Sequence, residues 1–244
     1  MTMHFSDYPA TRPLTAEALA RYLPDRAQSA NLFDAPTNVT PHSGLYRRFF
    51  KRALDVTAVL ISAPIVVPVV AGMALVVRLD GGPAFYTQKR IGMGGRSFRM
   101  WKLRSMVRDA DARMAGYLAA NPEAQAEWDA TQKLKADPRI TRFGRLMRRT
   151  SLDELPQLWN VLKGDMSLVG PRPMMPEQQA LYPGTGYFRL RPGVTGYWQT
   201  AGRNRTTFEA RVGFDDAYEV DLSLGTDLLI LARTVGVVAA CTGY

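Results

Sequence analysis

The feature that most constrains this chain is an uninterrupted uncharged run, Val56–Val77, of about 22 mainly apolar residues. A helix of about 20 apolar residues is long enough to cross the hydrocarbon core of a bilayer. The alternative is the buried core helix of a soluble protein, but such helices seldom continue so far without a strongly polar residue. The run therefore predicts a membrane-inserted helix.

Two prolines in the middle of this run, Pro64 and Pro68, predict that the helix is broken. Each proline removes one backbone hydrogen bond and bends a helix. Basic residues, which normally stay on the cytoplasmic side, flank both ends of the run: Arg47, Arg48, Lys51, Arg52, Arg78, Lys89 and Arg90. Together these observations predict a re-entrant helix that enters and leaves through one face. Ser62 is a candidate donor to the carbonyls that the break frees.

Composition limits the chemistry that the rest of the chain can perform. The net charge of +9, from 31 basic and 22 acidic residues, points to anionic partners. The only histidines, His4 and His42, precede the apolar run, and Cys241 is the single cysteine. A disulfide framework, a histidine-dependent triad and a zinc site built from several cysteines are therefore excluded.

The remaining pattern predicts a mainly α-helical chain with one small β-hairpin, an α+β fold. The hairpin is predicted over residues 84–106, with a turn at the glycines that follow Ile91. Helices are predicted over about 108–128, in the basic segment before Ser151, and over Thr207–Val220. The apolar tail, Leu228–Ala240, is too short to span a bilayer and is expected to lie on the membrane or on the core.

An adjacent pair of acids, Asp153 and Glu154, is the strongest chemical signal. Ser151 is a predicted N-cap, so the two acids could simply complement a helix dipole. Several basic residues surround the pair in sequence or occupy alternate positions on the second predicted strand: Lys102, Arg104, Arg145, Arg148, Arg149 and Arg172. Acids among arginines suit phosphoryl transfer, because a carboxylate can hold Mg²⁺ or attack phosphorus while arginines neutralise phosphate oxygens.

At these residues the chain resembles the bacterial sugar transferase family of monotopic phosphoglycosyl transferases. These enzymes begin the assembly of exopolysaccharide, O-antigen and glycoprotein glycans. The resemblance covers residues 46–241 and rests on ungapped strings in the family's order: KRALD, FYTQKRIGMGGRSFRMWKLRSM, DPRITRFGRLMRRTSLDELPQLWNVLKGDMSLVGPRP, RPGVTGYWQTAGRN and DAYEVDLSLGTDLLIL. The pattern is most similar to initiators of exopolysaccharide synthesis that use UDP-galactose or UDP-glucose.

The resemblance implies a two-step transfer of a hexose-1-phosphate from a UDP-sugar to polyprenyl (undecaprenyl) phosphate. Asp153 would be the nucleophile and a Mg²⁺ ligand, and Glu154 would support it. UMP would leave, and a covalent phospho-sugar enzyme would pass its group to the lipid. The same resemblance assigns phosphate or substrate binding to Lys102, Arg104, Arg148, Arg172, Arg191, Gln199, Arg203 and Asn204. For Arg104, Arg191 and Asn204, a structural ion pair or turn is an equally good interpretation.

The resemblance also implies a membrane location and three segments. Residues 1–45 would be a polar N-terminal arm, 46–80 the membrane-inserted helix and 81–244 a catalytic domain with interfacial amphipathic helices. The domain would lie on the cytoplasmic face of the bacterial inner membrane, in contact with lipids and not with nucleic acid; a homodimer is left open. One departure concerns the break: many family members carry Ser-Pro, whereas Val67 precedes Pro68 here.

A membrane-anchored basic scaffold without catalysis is the alternative from another class. It explains the charge and the apolar run, but it does not explain the acid pair among arginines. A nucleic-acid binder is less favoured, because aromatic residues do not alternate with the basic ones as a base-stacking surface requires.

Overall fold

The computed structural model describes residues 44–131, 134, 136–202, 208 and 210–239, so most of the predicted arm lies outside the described residues. The described chain is mainly helical, as predicted, and carries two small sheets. The helices are α1 (Lys51–Arg78), α2 (Ala110–Ala120), α3 (Pro122–Thr131), α4 (Arg142–Arg149), α5 (Gln157–Lys163), α6 (Ala210–Asp221) and α7 (Leu224–Ala239). The strands are β1 (Phe85–Ile91), β2 (Ser97–Leu103), β3 (Ser167–Val169) and β4 (Gly193–Thr195).

The apolar run forms the longest helix. A π-helical turn, Tyr46–Phe50, leads directly into α1, and the combined helix Tyr46–Arg78 is long and apolar enough to cross a membrane. Only 11% of its most apolar window is buried inside the protein. This exposure argues against the core helix of a soluble domain.

Helix α1 continues through both prolines without interruption. Pro64 and Pro68 nevertheless lack the N–H groups that would bond to the carbonyls of Leu60 and Pro64. Ser62 Oγ donates to the carbonyl of Val59 at 3.0 Å, so the predicted donation to a freed carbonyl is not seen. A bend of this helix within the membrane stays a prediction.

The predicted hairpin is confirmed. Strands β1 and β2 form an antiparallel pair, and the Gly92 N–H donates to the carbonyl of Arg96 at 2.7 Å across the turn. Gly94 and Gly95 adopt φ angles of 71° and 77°. Because side chains other than glycine rarely adopt this conformation, the glycines allow a turn this tight.

The chain divides into two compact units that alternate along the sequence. One consists of the described parts of residues 56–88, 99–163 and 235–244. Its core joins the last turns of α1 to the end of β2 and to α4. The buried members are Met73, Val77, Ala84, Leu103 and Met147. Thr141 caps α4 by accepting the Gly144 N–H at 2.8 Å, which fixes where this helix begins.

The helix predicted over about 108–128 is two helices in the structure. Asn121 adopts an extended conformation, with φ −134° and ψ 92°, between α2 and α3. Pro122 follows directly, and proline disfavours helical geometry in the residue before it. The sequence prediction missed this boundary because the helical composition continues on both sides of the proline.

The second unit consists of the described parts of residues up to 55, 89–98 and 164–234. Strands β3 and β4 pair in parallel, with Ser167 opposite Gly193 and Val169 opposite Thr195. Its main core packs β3 against α6 and α7; the buried members are Val169, Leu190, Tyr197, Phe214, Ala217, Tyr218 and Ile230. The β3–β4 pair was not predicted, because two strands of three residues carry no detectable alternation.

A buried charged cluster lies within this unit around Asp227, whose side chain is fully buried. The Asp227 carboxylate accepts hydrogen bonds from Tyr46 at 2.5 Å and from Tyr218 at 2.7 Å, and it lies 2.8 Å from the Lys51 ammonium. Tyr218 Oη also contacts the carbonyl of Val169 at 3.1 Å. The start of α1 is therefore tied to α6, α7 and β3.

Asp55 extends the cluster along α1. Its carboxylate accepts the backbone N–H of Leu168 at 3.0 Å and lies 3.8 Å from the Lys51 ammonium. Asp55 is 1% exposed, so this ion pair and hydrogen bond are shielded from water. Strand β3 leads directly into the loop that carries Arg172, so Asp55 also fixes the start of that loop.

Candidate active site

Asp153 lies in a short 3₁₀ turn, Leu152–Glu154, between α4 and α5. Leu152 and Leu155, on either side of the two acids, pack against the hydrophobic core that contains Leu103 and Met147. Ser151 adopts a left-handed conformation, with φ 56°, and makes no capping hydrogen bond. The predicted N-cap is therefore wrong, and the two acids do not begin an α-helix, so the helix-dipole interpretation loses its basis.

Burial dominates the electrostatics of Asp153. The residue is 7% exposed, and burial raises the pKa of its carboxyl to about 6. The positive charges of Lys102 and Arg148 lower this pKa, whereas the negative charge of Glu154 raises it further. A carboxylate held this way is poorly hydrated and becomes a better nucleophile once cations keep it ionised.

Glu154 and Lys102 form the closest ion pair of this turn, with 2.6 Å between the Lys102 Nζ and Glu154 Oε1 atoms. Lys102 comes from β2, so the hairpin positions it. Arg148, from the last turn of α4, donates from Nε to Ser105 Oγ at 2.8 Å. Among the described residues none pairs with its terminal NH₂ groups, which are therefore available to an anionic ligand.

Arg104 was predicted to share this task, but the structure places it elsewhere in the same unit. Its guanidinium donates to Asp80 and to the backbone carbonyls of Val77, Pro83 and Met106. All five N–H groups are thereby used, so Arg104 has no donor left for phosphate. This arrangement favours the structural alternative, in which Arg104 closes the end of α1 and the start of the hairpin.

Arg172 belongs to the other unit and is exposed on the loop that follows β3. Its guanidinium carbon lies 5.2 Å from the centre of the Trp198 ring, and that of Arg211 lies 5.6 Å from the same centre. Arg211 also donates to the Arg172 carbonyl. Burial lowers the pKa of Arg211, and the charge of Arg172 contributes to this. Trp198 and Arg211 thus position Arg172, and the two guanidinium groups place two positive charges around one indole ring.

Trp198 and Arg211 were missed by the sequence prediction. Trp198 lies inside a string that was quoted for the family, and Arg211 lies within a predicted amphipathic helix. A basic residue on the apolar face of such a helix was the signal that could have identified Arg211.

The remaining predicted binding residues also belong to this second unit or lie outside the residues that the structure describes. Arg191 Nε donates to the carbonyl of Gly164 at 3.1 Å, which is a structural contact. Gln199 is buried in a π-helical turn, Trp198–Gly202. Arg203 and Asn204 lie outside the described residues.

The donors around Asp153 fit a magnesium ion that arrives with its substrate. Within the described part of the chain, no group of three or more acidic, histidine or cysteine side chains could hold a metal alone. Glu154 is already paired with Lys102, which leaves Asp153 as the carboxylate donor. Mg²⁺ is commonly bound by one or two carboxylates together with substrate phosphates, so one protein ligand is compatible with this ion.

The raised pKa of Asp153 predicts a pH-dependent stability in metal-free buffer. The carboxyl has a pKa of about 6 in the folded protein against 3.8 as its ordinary value, so the folded state binds the extra proton between these pH values. The free energy of unfolding, relative to Asp153→Asn, should therefore fall by on the order of 2 to 3 kcal/mol as the pH rises from about 4 to 7. Denaturant unfolding in detergent with a chelator measures this difference. If the free energy of unfolding of the unmodified protein instead rose with pH relative to that of Asp153→Asn, Asp153 would be stabilised as the anion.

Comparison with known proteins adds an independent observation. A sequence profile of the bacterial sugar transferase family matches residues 46–241. The chain is 45% identical over 203 residues to the UDP-galactose-lipid carrier transferase of Erwinia amylovora, which covers 82% of this chain and 42% of that protein. It is 42% identical over 207 residues to the exopolysaccharide production protein ExoY of Rhizobium meliloti (strain 1021), covering 84% and 90%.

A third relative is the UDP-glucose:undecaprenyl-phosphate glucose-1-phosphate transferase of Escherichia coli (strain K12). The chain is 37% identical to it over 211 residues, which cover 82% of this chain and 42% of that protein. The chain therefore spans less than half the length of two of these relatives and most of the length of the ExoY protein.

Proposed function

Because the chain belongs to the bacterial sugar transferase family, we propose that it transfers a hexose-1-phosphate from a UDP-sugar to polyprenyl (undecaprenyl) phosphate and releases UMP. This reaction would be the first membrane step of exopolysaccharide or glycoconjugate synthesis. The observation that carries the proposal is the buried Asp153 carboxylate, with its pKa raised to about 6, beside the charges of Lys102 and Arg148.

In the first step the Asp153 carboxylate attacks the β-phosphorus of the UDP-sugar. A bond forms between the carboxylate oxygen and phosphorus, and the bond from that phosphorus to the oxygen bridging it to the α-phosphate breaks. UMP leaves with the bonding electrons. Arg148, whose terminal NH₂ groups have no described partner, neutralises the oxygens around the reacting phosphorus.

In the second step a phosphate oxygen of the polyprenyl phosphate attacks the same phosphorus. The bond to Asp153 breaks, the carboxylate is restored, and the product is a polyprenyl diphosphate sugar. Glu154 and Lys102 hold the turn in place through their 2.6 Å ion pair. Arg172, exposed above Trp198, is proposed to bind a phosphate group. Mg²⁺, held by Asp153 and the substrate phosphates, would neutralise the charge of the diphosphate.

The sugar is proposed to be galactose or glucose. The Erwinia amylovora relative is named for UDP-galactose and the Escherichia coli relative for UDP-glucose. Measuring UMP release from each of these UDP-sugars, and from their N-acetyl forms, selects among them. A non-catalytic scaffold would release no UMP from any of them.

The two-step reaction predicts a covalent intermediate. Incubation of the purified protein with UDP-sugar and Mg²⁺, without lipid, should give protein heavier by one hexose phosphate, because Asp153 accepts the group before the lipid binds. Intact-protein mass spectrometry detects the adduct, which should map to Asp153 and be released by hydroxylamine, as acyl phosphates are. A strict requirement for polyprenyl phosphate before any UMP appears would instead indicate direct transfer.

The proposed topology is re-entrant, with the enzyme on the cytoplasmic face of the inner membrane. The missing N–H groups of Pro64 and Pro68 make a bend in α1 inexpensive, since the hydrogen bonds that it would break are already absent. Basic residues at both ends of the helix would then bind anionic headgroups on one side. A homodimer in this membrane stays a prediction.

This topology predicts which side of the membrane each end of α1 faces. Single cysteines at Thr40 and Gly82, in a Cys241→Ser background, should both react only with reagents on the cytoplasmic side. Replacing both prolines with alanine should straighten the helix and move position 40 to the far side. Labelling of position 40 from the periplasm in the unmodified helix would establish a true span and leave the chemistry at Asp153 unaffected.

A further inference from the structure

Ser105 lies just after the hairpin, where the chain pairs with the segment that precedes α4. Its carbonyl accepts the backbone N–H of Thr141 at 3.1 Å, and the Val107 N–H donates to the carbonyl of Arg139 at 2.9 Å. Ser105 is 3% exposed. These contacts hold Ser105 in the interior of the compact unit that also carries Asp153.

The first turn of α4 rests on the backbone of Ser105. A Cβ atom on Gly144 would lie 2.0 Å from the Ser105 carbonyl oxygen, so only glycine allows this approach. Arg148 follows four residues later on the same side of the helix, and its Nε atom donates to Ser105 Oγ at 2.8 Å. A guanidinium has no acceptor, so the hydroxyl oxygen of Ser105 accepts this bond. The close packing at Gly144 therefore determines where Ser105 and Arg148 meet.

This hydrogen bond leaves the outer end of Arg148 available. The bond to Nε restricts rotation of the guanidinium, while the two terminal NH₂ groups have no partner among the residues that the structure describes. Glu154, the acid next to the nucleophile, is paired with Lys102 at 2.6 Å and does not bind Arg148. The charge of Arg148 nevertheless acts on Asp153. Arg148 thus offers two parallel donors near Asp153, the arrangement that binds phosphate oxygens in a bidentate manner.

We propose that Ser105 is a positioning residue of the transfer reaction, which holds the Arg148 guanidinium so that its two NH₂ groups meet the oxygens of the reacting phosphate. This inference rests on the proposed function and on the role given there to Arg148. Without the contact, the arginine side chain would sample many rotamers, and ordering it in each catalytic cycle would raise the barrier. With the contact, the positive charge is already placed where the reacting phosphate carries its negative charge. Ser105 acts only through Arg148.

The first test removes the acceptor. Ser105→Ala should slow formation of the hexose-phosphate adduct by about 10- to 100-fold, the range expected when a hydrogen bond to a charged group is lost. Ser105→Thr keeps an acceptor oxygen and should retain the rate within about threefold. The matched control is Ser62→Ala, because the Ser62 hydroxyl bonds only to a carbonyl of its own helix in the same unit. Rates come from rapid-quench mass spectrometry at saturating UDP-sugar. A rate for Ser105→Ala within about twofold of wild type would overturn the proposal.

The effect should vanish when residue 148 can no longer make the contact. Lysine has no donor equivalent to the arginine Nε–H, so Arg148→Lys removes both the hydrogen bond to Ser105 and the pair of terminal donors. Adding Ser105→Ala to Arg148→Lys should slow adduct formation by less than about threefold further, because the two residues act as one unit. If the second substitution instead cost its full effect of about 10- to 100-fold, Ser105 would act through the stability of the fold, and the proposal would fail.

A chemical probe separates this inference from the proposed function. Phenylglyoxal modifies guanidinium groups, and peptide mass spectrometry gives its rate at each arginine of the purified full chain in detergent. Arg148 should react about tenfold faster in Ser105→Ala than in the unmodified protein, because the lost hydrogen bond frees its guanidinium. The exposed Arg142 should react equally in both. An unchanged rate at Arg148 would contradict the proposal. Absence of UMP release from the unmodified protein would count against the proposed function alone, since the labelling still decides whether Ser105 holds Arg148.

Discussion

Asp153→Asn should lower UDP-sugar-dependent UMP release by about 5,000-fold or more, which corresponds to on the order of 5 kcal/mol of activation free energy. An amide nitrogen or oxygen cannot form the phospho-aspartyl bond, and it is a poor ligand for Mg²⁺. The same variant should accumulate no hexose-phosphate adduct. Initial rates of UMP release, measured with saturating UDP-sugar and Mg²⁺, give the comparison.

The control for this variant is Asp111→Asn. Asp111 is an exposed acid in the first turn of α2, in the same compact unit. The substitution removes the same charge without touching the 3₁₀ turn, so its rate should stay close to that of the unmodified enzyme. Activity of Asp153→Asn within about tenfold of wild type would remove Asp153 as the nucleophile, because loss of a covalent catalyst costs far more.

Asp227→Ala should lower the free energy of unfolding by about 3 to 5 kcal/mol, the usual effect of removing one partner of a buried ion pair. Lys51 would keep a buried charge without its nearest counter-ion, and Tyr46 and Tyr218 would lose their acceptor. For a chain of this size, each kcal/mol corresponds to about 2 to 4 °C, so the melting temperature in detergent should fall by roughly 10 °C.

Asp111→Ala again provides the comparison, because it removes an exposed carboxylate and should shift the melting temperature little. Tyr218→Phe, which removes one hydrogen bond to Asp227 and keeps the ring, should lie between the two. A loss below about 1 kcal/mol for Asp227→Ala would mean that water reaches the cluster and replaces the carboxylate.

The elements that the sequence predicted well are those with a local signal. The hairpin follows from glycines at a turn that requires left-handed φ angles, and α1 follows from its composition. The acid pair was recognised from adjacent residues, and in the structure the charges of Lys102 and Arg148 act on Asp153. The conformation of Ser151 was not predictable, because serine before two acids is the usual sign of an N-cap.

What the sequence could not provide depends on contacts between distant segments. The partners of Arg104 lie up to 27 residues away, and only their positions show that its donors are all used. Asp55 and Asp227 meet Lys51 in one cluster although they are far apart in sequence. Arg211 reaches Trp198 from another helix, which a pattern of apolar residues does not indicate.

The cluster around Asp227 has a practical consequence for making a soluble version of this enzyme. Deleting every residue up to Arg78 would remove Tyr46, Lys51 and Asp55 along with the apolar residues. The truncated protein would then bury the Asp227 carboxylate without its counter-ion and leave the backbone N–H of Leu168 without its acceptor. In a chimera with a different hydrophobic segment, the exchanged residues should therefore begin after Asp55. The first turn of α1 makes the contacts to Asp227 and Leu168, so it is part of the folded domain.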